Sequence, residues 1–252
     1  MPSQRVYFPN SKGDRLAGIV DLPSEDPVGF ALFAHCFTCT KDLKAIVRVS
    51  RGLAKQGIGV LRFDFTGLGD SHGDFSESNF ESNVSDIHSA ANWLSENHQP
   101  AAMFVGHSLG GTALMSTMNR MDSARSLVTL ASPANTHHLV DTLLRLNPNI
   151  EKDHEGEVVI GGRTHLIKTQ LLQSLRRQQM KPLIESIQIP HLVLHSPDDE
   201  MLAIQHAHDI FEMSGGYKAF VTLPGSDHLL VNQPEDVGFV SNLIASWGKR
   251  FM

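Results

Sequence analysis

The stretch Phe104-Val105-Gly106-His107-Ser108-Leu109-Gly110-Gly111 decides how the rest of this chain is read. Apolar residues lead into a serine flanked by glycines, and a helical pattern follows from Gly111 to Met121. A strand that turns sharply into a helix holds its middle residue in a strained conformation and leaves room only for small neighbours, here Gly106 and Gly110. Ser108 then stands exposed above the sheet, with the partial positive charge and free N–H groups of a helix N-terminus where an oxyanion would form. A glycine-rich turn without chemistry is the plain alternative, so the reading depends on what else the chain supplies.

A serine hydroxyl is a weak nucleophile and needs a general base, which in turn needs an acid to hold its tautomer. Both follow Ser108 in the order acid, then base. His228 lies in Leu223-Pro224-Gly225-Ser226-Asp227-His228-Leu229-Leu230, a loop just after the last expected strand. The acid falls in Ser196-Pro197-Asp198-Asp199-Glu200-Met201-Leu202, where two adjacent aspartates compete for the role.

At 252 residues the chain is long enough for one large core, and no composition shift marks a linker, so one domain over 1–252 is expected. The net charge of -6 and the dispersed 21 Lys+Arg argue against nucleic acid or an anionic membrane as partner. No apolar run suits a signal peptide or a membrane span, which predicts a cytoplasmic protein acting on a small molecule. Oligomeric state is not legible. Cys36 and Cys39, spaced C-x-x-C, suggest a redox pair or half a metal site, but no second cysteine pair exists to complete a zinc centre. No metal is expected, and the plain reading is two small buried residues in a loop. A further reading makes the pair a redox switch on that loop. His137-His138 and His206-x-His208 read as solvent-facing.

Strand patterns alternate with helical ones through most of the chain, the mark of a mainly parallel sheet covered on both faces. Eight strands are predicted: 5–8 and 16–21 as an opening hairpin, then 30–34, 59–63, 103–106, 127–131, 192–195 and 219–223. Helices are predicted over 43–56, 84–97, 111–121, 204–213 and 237–250. The segment 134–186 is too long for a plain crossover and reads as a lid, with a hairpin turned at Gly161-Gly162 between helices near 139–146 and 167–177.

These motifs together resemble the α/β-hydrolase superfamily over essentially the whole chain. The resemblance implies an α/β-hydrolase fold, eight-stranded and mostly parallel, with a small lid insertion. Its G-x-x-D-x-x-V segment aligns Ser196 with the glycine and Leu202 with the valine, which selects Asp199 as the acid and leaves Asp198 as a turn or helix-capping residue. Phe33-Ala34-His35-Cys36-Phe37-Thr38 is similar to the H-G-F-T oxyanion loop, implying that the backbone N–H groups of Phe37 and Leu109 bind the oxyanion. Cys36 departs from that pattern, standing where glycine is usual. Asp64-Phe65-Thr66-Gly67-Leu68-Gly69-Asp70-Ser71 resembles the D-x-x-G-x-G-x-S loop of many esterases and lipases, with Asp64 expected to bond loop N–H groups. The pattern looks closest to the hydrolase half of bifunctional proteins carrying an OsmC-type peroxidase domain, and to feruloyl and short-chain carboxylesterases. With the chain ending at Met252, no peroxidase part is expected in this sequence.

The expected chemistry is hydrolysis of small carboxylic esters by a serine esterase through an acyl-enzyme on Ser108. No cofactor is implied, because nucleophile, base and electrostatic stabilisation all come from the chain. Leu139, Leu143, Leu166 and Ile167, with Leu144, Leu171 and Leu172, are the candidate acyl-pocket walls, although helical spacing suits packing of the lid onto the body better for most of them. The same triad could instead cut an amide, thioester or carbon–carbon bond, and a non-catalytic binding protein on a hydrolase scaffold is the remaining rival.

Overall fold

The computed structural model describes residues 2–230, 232 and 234–252. Its centre is an eight-stranded sheet built from β1 (Ser3–Pro9), β2 (Arg15–Asp21), β3 (Gly29–Ala34), β4 (Ile58–Phe63), β5 (Ala101–His107), β6 (Ser126–Leu130), β9 (His191–His195) and β10 (Lys218–Thr222), in the order β1-β2-β4-β3-β5-β6-β9-β10. β1 pairs antiparallel with β2, and β2 antiparallel with β4; every other pairing is parallel. β3, β4, β6 and β9 are buried at every position, as strands covered on both faces must be, whereas the edge strand β1 alternates between buried and exposed residues.

The period of two divides the core in half. In β3, Phe30, Leu32 and Ala34 face one hydrophobic cluster, which they share with α2 (Phe80–Asn97) and α3 (Leu109–Met115). Ala31 and Phe33 face a second cluster, closed by α1 (Lys44–Lys55) and α9 (Pro234–Phe251). Burial on both faces fixes the strand register, because a slip of one residue would exchange the two clusters.

The excursion between β6 and β9 carries α4 (His137–Leu146), α5 (Ile150–Asp153), the hairpin β7 (Glu155–Ile160) and β8 (Arg163–Lys168), α6 (Thr169–Arg177) and α7 (Met180–Glu185). Gly161 and Gly162 both have positive φ, 58° and 75°, as a two-residue hairpin turn requires. Between β9 and β10 lies α8 (Gln205–Met213).

Several boundaries differ from the sequence expectation, three of them for a visible reason. The helix expected from Val84 begins at Phe80, because Asn79 and Ser82 form a reciprocal capping box. The helix expected to reach Met121 ends at Met115, where Ser116 bonds back to the Ala113 carbonyl and Thr117 pairs with His88. Ile167, expected in a helix, is paired with Gly156 in the hairpin, whose register carries β8 on to Lys168 opposite Glu155. The short helices α5 and α7 were not anticipated. Among the described residues no helix is long and apolar enough to cross a membrane.

Candidate active site

The loops leaving the carboxyl ends of β3, β4, β5, β9 and β10 bring the site residues together. Ser108 follows β5 with φ 52° and ψ -126°, a conformation that costs a non-glycine residue on the order of 1–3 kcal/mol. Neighbours hold it there. Its N–H donates to the Leu130 carbonyl at 2.9 Å and its carbonyl accepts from Gly111 at 2.9 Å. A Cβ on Gly106 would come within 2.3 Å of the Gly111 backbone, and one on Gly110 within 2.4 Å of the Ala34 and His35 carbonyls. The two glycines therefore let the helix pack directly on β5 and on the end of β3.

Ser108, His228 and Asp199 form one hydrogen-bonded chain. Ser108 Oγ lies 3.1 Å from His228 Nε2, and His228 Nδ1 lies 2.7 Å from Asp199 Oδ2. A carboxylate only accepts, so Nδ1 carries the hydrogen and Nε2 is left bare toward the serine hydroxyl, which donates to it. Oδ1 of Asp199 accepts from the N–H groups of Met201 and Leu202 at 2.8 and 2.9 Å. Burial alone would raise this carboxyl, but hydrogen bonds from His195 and His228 outweigh it and hold the group well below the ordinary carboxylate range.

The two competing aspartates are thus separated by geometry. Asp198 sits in the turn after β9, as the resemblance implied. Its Oδ2 accepts from Gly225 N–H at 2.7 Å, clasping the loop after β9 to the loop that carries His228.

The N–H groups of Phe37 and Leu109 donate to no other group among the described residues. His35 explains how the first is oriented. The buried ring has Nε2 3.3 Å from the Phe65 N–H, which donates to it, so Nδ1 carries the hydrogen and donates to the Cys36 carbonyl at 2.8 Å. In a trans peptide the C=O and N–H of one plane point opposite ways, so pinning the Cys36 carbonyl turns the Phe37 N–H outward. Burial lowers the His35 pKa, which suits a ring that accepts as well as donates. Cys36 and Cys39 are joined by a disulfide, so they are one covalent unit around Phe37 and Thr38 and not two separate small residues; Cys39 is also partly exposed.

Behind this loop runs a buried ionic network. The Lys41 ammonium donates to Asp64 at 2.8 Å, Asp70 at 2.7 Å and Asp42 at 3.1 Å, while Arg62 donates to Asp21 at 2.8 Å and to the Lys41 carbonyl at 2.7 Å. Burial works against the Lys41 charge, yet its three carboxylate partners hold its pKa above the usual lysine range. Asp64 also accepts the N–H groups of Lys41 and Asp70, as expected of a loop anchor. Asp42 and Asp70 are more than half exposed, so the weight falls on the buried Lys41–Asp64 pair. Lys41→Met leaves Asp64 without its cation and is expected to lower unfolding stability by about 3 kcal/mol, read from the urea midpoint at constant slope.

The expected acyl-pocket residues do not line up on one surface. Leu143 and Ile167 are fully buried in the hydrophobic core, Leu139 packs against it, and Leu166 faces solvent. Leu143 and Ile167 thus pack in the core, the alternative that their spacing also allowed. Leu171 and Leu172 are likewise core, with Leu144 half-buried against it. A cavity of about 10 Å³, room for one water, instead lies against Phe37, Leu109, Phe65, Leu68, Phe75 and Asn83. Phe75 bridges Phe37, at a ring separation of 5.7 Å, to His165 of the hairpin, at 5.3 Å.

Three histidines that sequence reasoning passed over complete the surroundings: His35, His107 and His195. The last two end β5 and β9, strands whose ends are buried, where a polar side chain must find a partner. That was the signal available. His107 Nε2 donates to the His228 carbonyl at 2.7 Å, and burial lowers its pKa to about 3. His138 and His206, expected to face solvent, are half-buried and pack edge to face at 5.7 Å, while His137 and His208 are exposed. Among the described residues no group of three or more His, Cys, Asp or Glu could hold a metal ion.

Comparison with known proteins agrees with this architecture. The structure superposes on the esterase domain of a Rhodothermus marinus protein with a TM-score of 0.80, at 36% identity, covering 100% of this chain and 99% of that one. It also superposes on Est1E of Butyrivibrio proteoclasticus with ferulic acid bound, at a TM-score of 0.82 and 98% coverage of both, where 19% identity marks a shared fold. An uncharacterized protein, RP471, of Rickettsia prowazekii (strain Madrid E) is 28% identical over 142 residues, which span 54% of this chain and 58% of that protein. Residues 29–238, from the start of β3 into the last helix, match the alpha/beta hydrolase family, and the chain belongs to that family of enzymes.

Proposed function

We propose that this protein is a serine esterase that hydrolyses small carboxylic esters in two steps through an acyl-enzyme on Ser108. The observation that carries the proposal is the unbroken chain from Ser108 Oγ through His228 to Asp199 beside two unspent backbone donors. In the first step Ser108 Oγ bonds to the ester carbonyl carbon as its proton passes to His228 Nε2, and the carbonyl oxygen takes the negative charge. The N–H groups of Phe37 and Leu109 are its donors. Collapse breaks the bond to the alcohol, which leaves with the proton from His228. Water then gives a proton to His228, attacks the acyl carbon, and Ser108 regains its proton as the acid departs. Asp199 stays ionised throughout and stabilises the imidazolium.

The excursion between β6 and β9 acts as a lid on a single domain. The shortness of that excursion and the aromatic contact of Phe37 with Phe75 favour acetyl to hexanoyl or small aromatic acyl groups. In a p-nitrophenyl ester series, kcat/KM is expected to fall by about an order of magnitude between hexanoyl and dodecanoyl. A maximum at dodecanoyl would contradict this. Matched ester, thioester and peptide substrates separate the rivals that share the triad, and the ester is expected to be fastest. Failure of a fluorophosphonate probe to label Ser108 would favour a non-catalytic binding protein.

A further inference from the structure

His195 is not part of the triad, yet it shares the triad's acid. Its ring is wholly buried at the end of β9, with Nε2 2.9 Å from the Leu202 carbonyl and 3.3 Å from Asp199 Oδ2. Both neighbours are pure acceptors, so Nε2 carries the hydrogen, donates it to the Leu202 carbonyl and sets the same N–H beside Asp199 Oδ2. Nδ1 finds no partner among the described residues. A side chain that served packing alone would not bring an unsatisfied nitrogen into a strand buried on both faces, where any aliphatic residue avoids that cost. The polar value of this residue therefore resides in Nε2. The same carboxylate oxygen that receives the His228 Nδ1 hydrogen also lies 3.3 Å from His195 Nε2.

We propose that His195 is a positioning residue for the triad: its Nε2–H fixes Asp199 Oδ2 toward His228 and moderates the pull of that carboxylate on the His228 proton. The inference rests on the esterase reading above and assigns a role within the same site. Hydrogen bonds to an ionised carboxylate spread its charge, so each added donor makes it a weaker base toward its remaining partner. Without His195, Asp199 holds His228 more firmly in its protonated form. The enzyme then needs a higher pH to free the base.

The ionisable groups around this pair come from four further elements. His107, at the end of β5, donates to the His228 carbonyl and is kept neutral by burial. His138 on α4 and His206 on α8 lie farther out, both with pKa lowered by burial. Asp227, beside His228, accepts from Asn232 N–H, and Asp198 is turned to Gly225. Glu200, next to Asp199, is exposed. The second N–H set beside Asp199 Oδ2 is that of His195.

The test measures kcat and KM for p-nitrophenyl acetate from acid to neutral pH in the wild type and in three variants. His195→Leu keeps an apolar side chain and loses the donor. His195→Gln keeps an N–H near the place of Nε2, and His195→Asn puts its amide near Nδ1, out of reach of Asp199. For Leu and Asn the acidic limb of kcat/KM is expected to move up by about half a pH unit. For the same two, kcat is expected to fall about ten-fold with KM within about two-fold. Gln is expected to restore the limb and most of kcat. Should Leu fail to fold, the Gln and Asn pair decides alone. An unmoved limb in Asn, or a Gln variant that is folded yet as impaired as Asn, overturns the proposal. Wild-type protein that neither turns over the ester nor takes a fluorophosphonate label on Ser108 would bring down the esterase reading, and this one with it.

Discussion

Ser108→Ala is expected to remove ester turnover, lowering kcat by about a million-fold, while the protein stays folded. The size of the effect follows from covalent catalysis. Without Oγ no acyl-enzyme forms, and His228 and Asp199 have nothing to activate. What survives is the modest acceleration supplied by binding and by the Phe37 and Leu109 donors. Folding is spared because, among the described residues, Oγ bonds to His228 Nε2 alone, and the site is half-exposed to water. Alanine meets the same steric objection to φ 52° as serine does, so the strain at the elbow is unchanged. Initial rates on p-nitrophenyl acetate and a thermal melt check both halves. Turnover undiminished in the folded variant removes Ser108 as nucleophile.

The second large effect separates neighbours in sequence. Asp199→Asn is expected to lower kcat by about ten-thousand-fold, because an amide can donate to His228 Nδ1 and so favours the wrong tautomer. Asp198→Asn keeps an oxygen for the Gly225 N–H and is expected to lose less than about ten-fold. Rates for the two variants, measured side by side, decide which carboxylate is the acid. Stability gives an independent reading. The folded state holds the Asp199 carboxyl below its ordinary range, so its ionised form stabilises the fold above the unfolded carboxyl's pKa, and that contribution is lost as pH falls toward the folded value. Asp199→Asn should therefore destabilise the protein more at pH 7 than at pH 3.

How much of this was legible follows from the range of each signal. The strands of the sheet could be read because a strand covered on both faces carries its burial in its own composition, as Phe30 to Ala34 do. The elbow could be read because Gly106 and Gly110 mark close approaches that leave no room for a side chain. For Leu143 and Ile167 the sequence could show burial alone, because helical spacing reports that a side chain is buried without reporting against what. Asp198 and Asp199 could not be told apart from the residues themselves, since the difference lies in which loop each side chain reaches. His35, His107 and His195 went unread for a related reason. Their partners are a neighbouring peptide plane, a carbonyl 121 positions away and the Leu202 carbonyl beside Asp199, and a periodic pattern encodes none of these.

The cross-link between positions 36 and 39 closes a very small ring, and ring size governs how far a covalent tie restrains the denatured chain. A loop of about four residues removes on the order of 2 kcal/mol of chain freedom, against nearly 5 kcal/mol for one spanning about a hundred. Opening it with a thiol reagent therefore leaves a molecule still held by two cores and an eight-stranded sheet. The freedom regained is spent locally, at the peptide plane of residue 37, so this bond governs the stiffness of one loop far more than the survival of the fold.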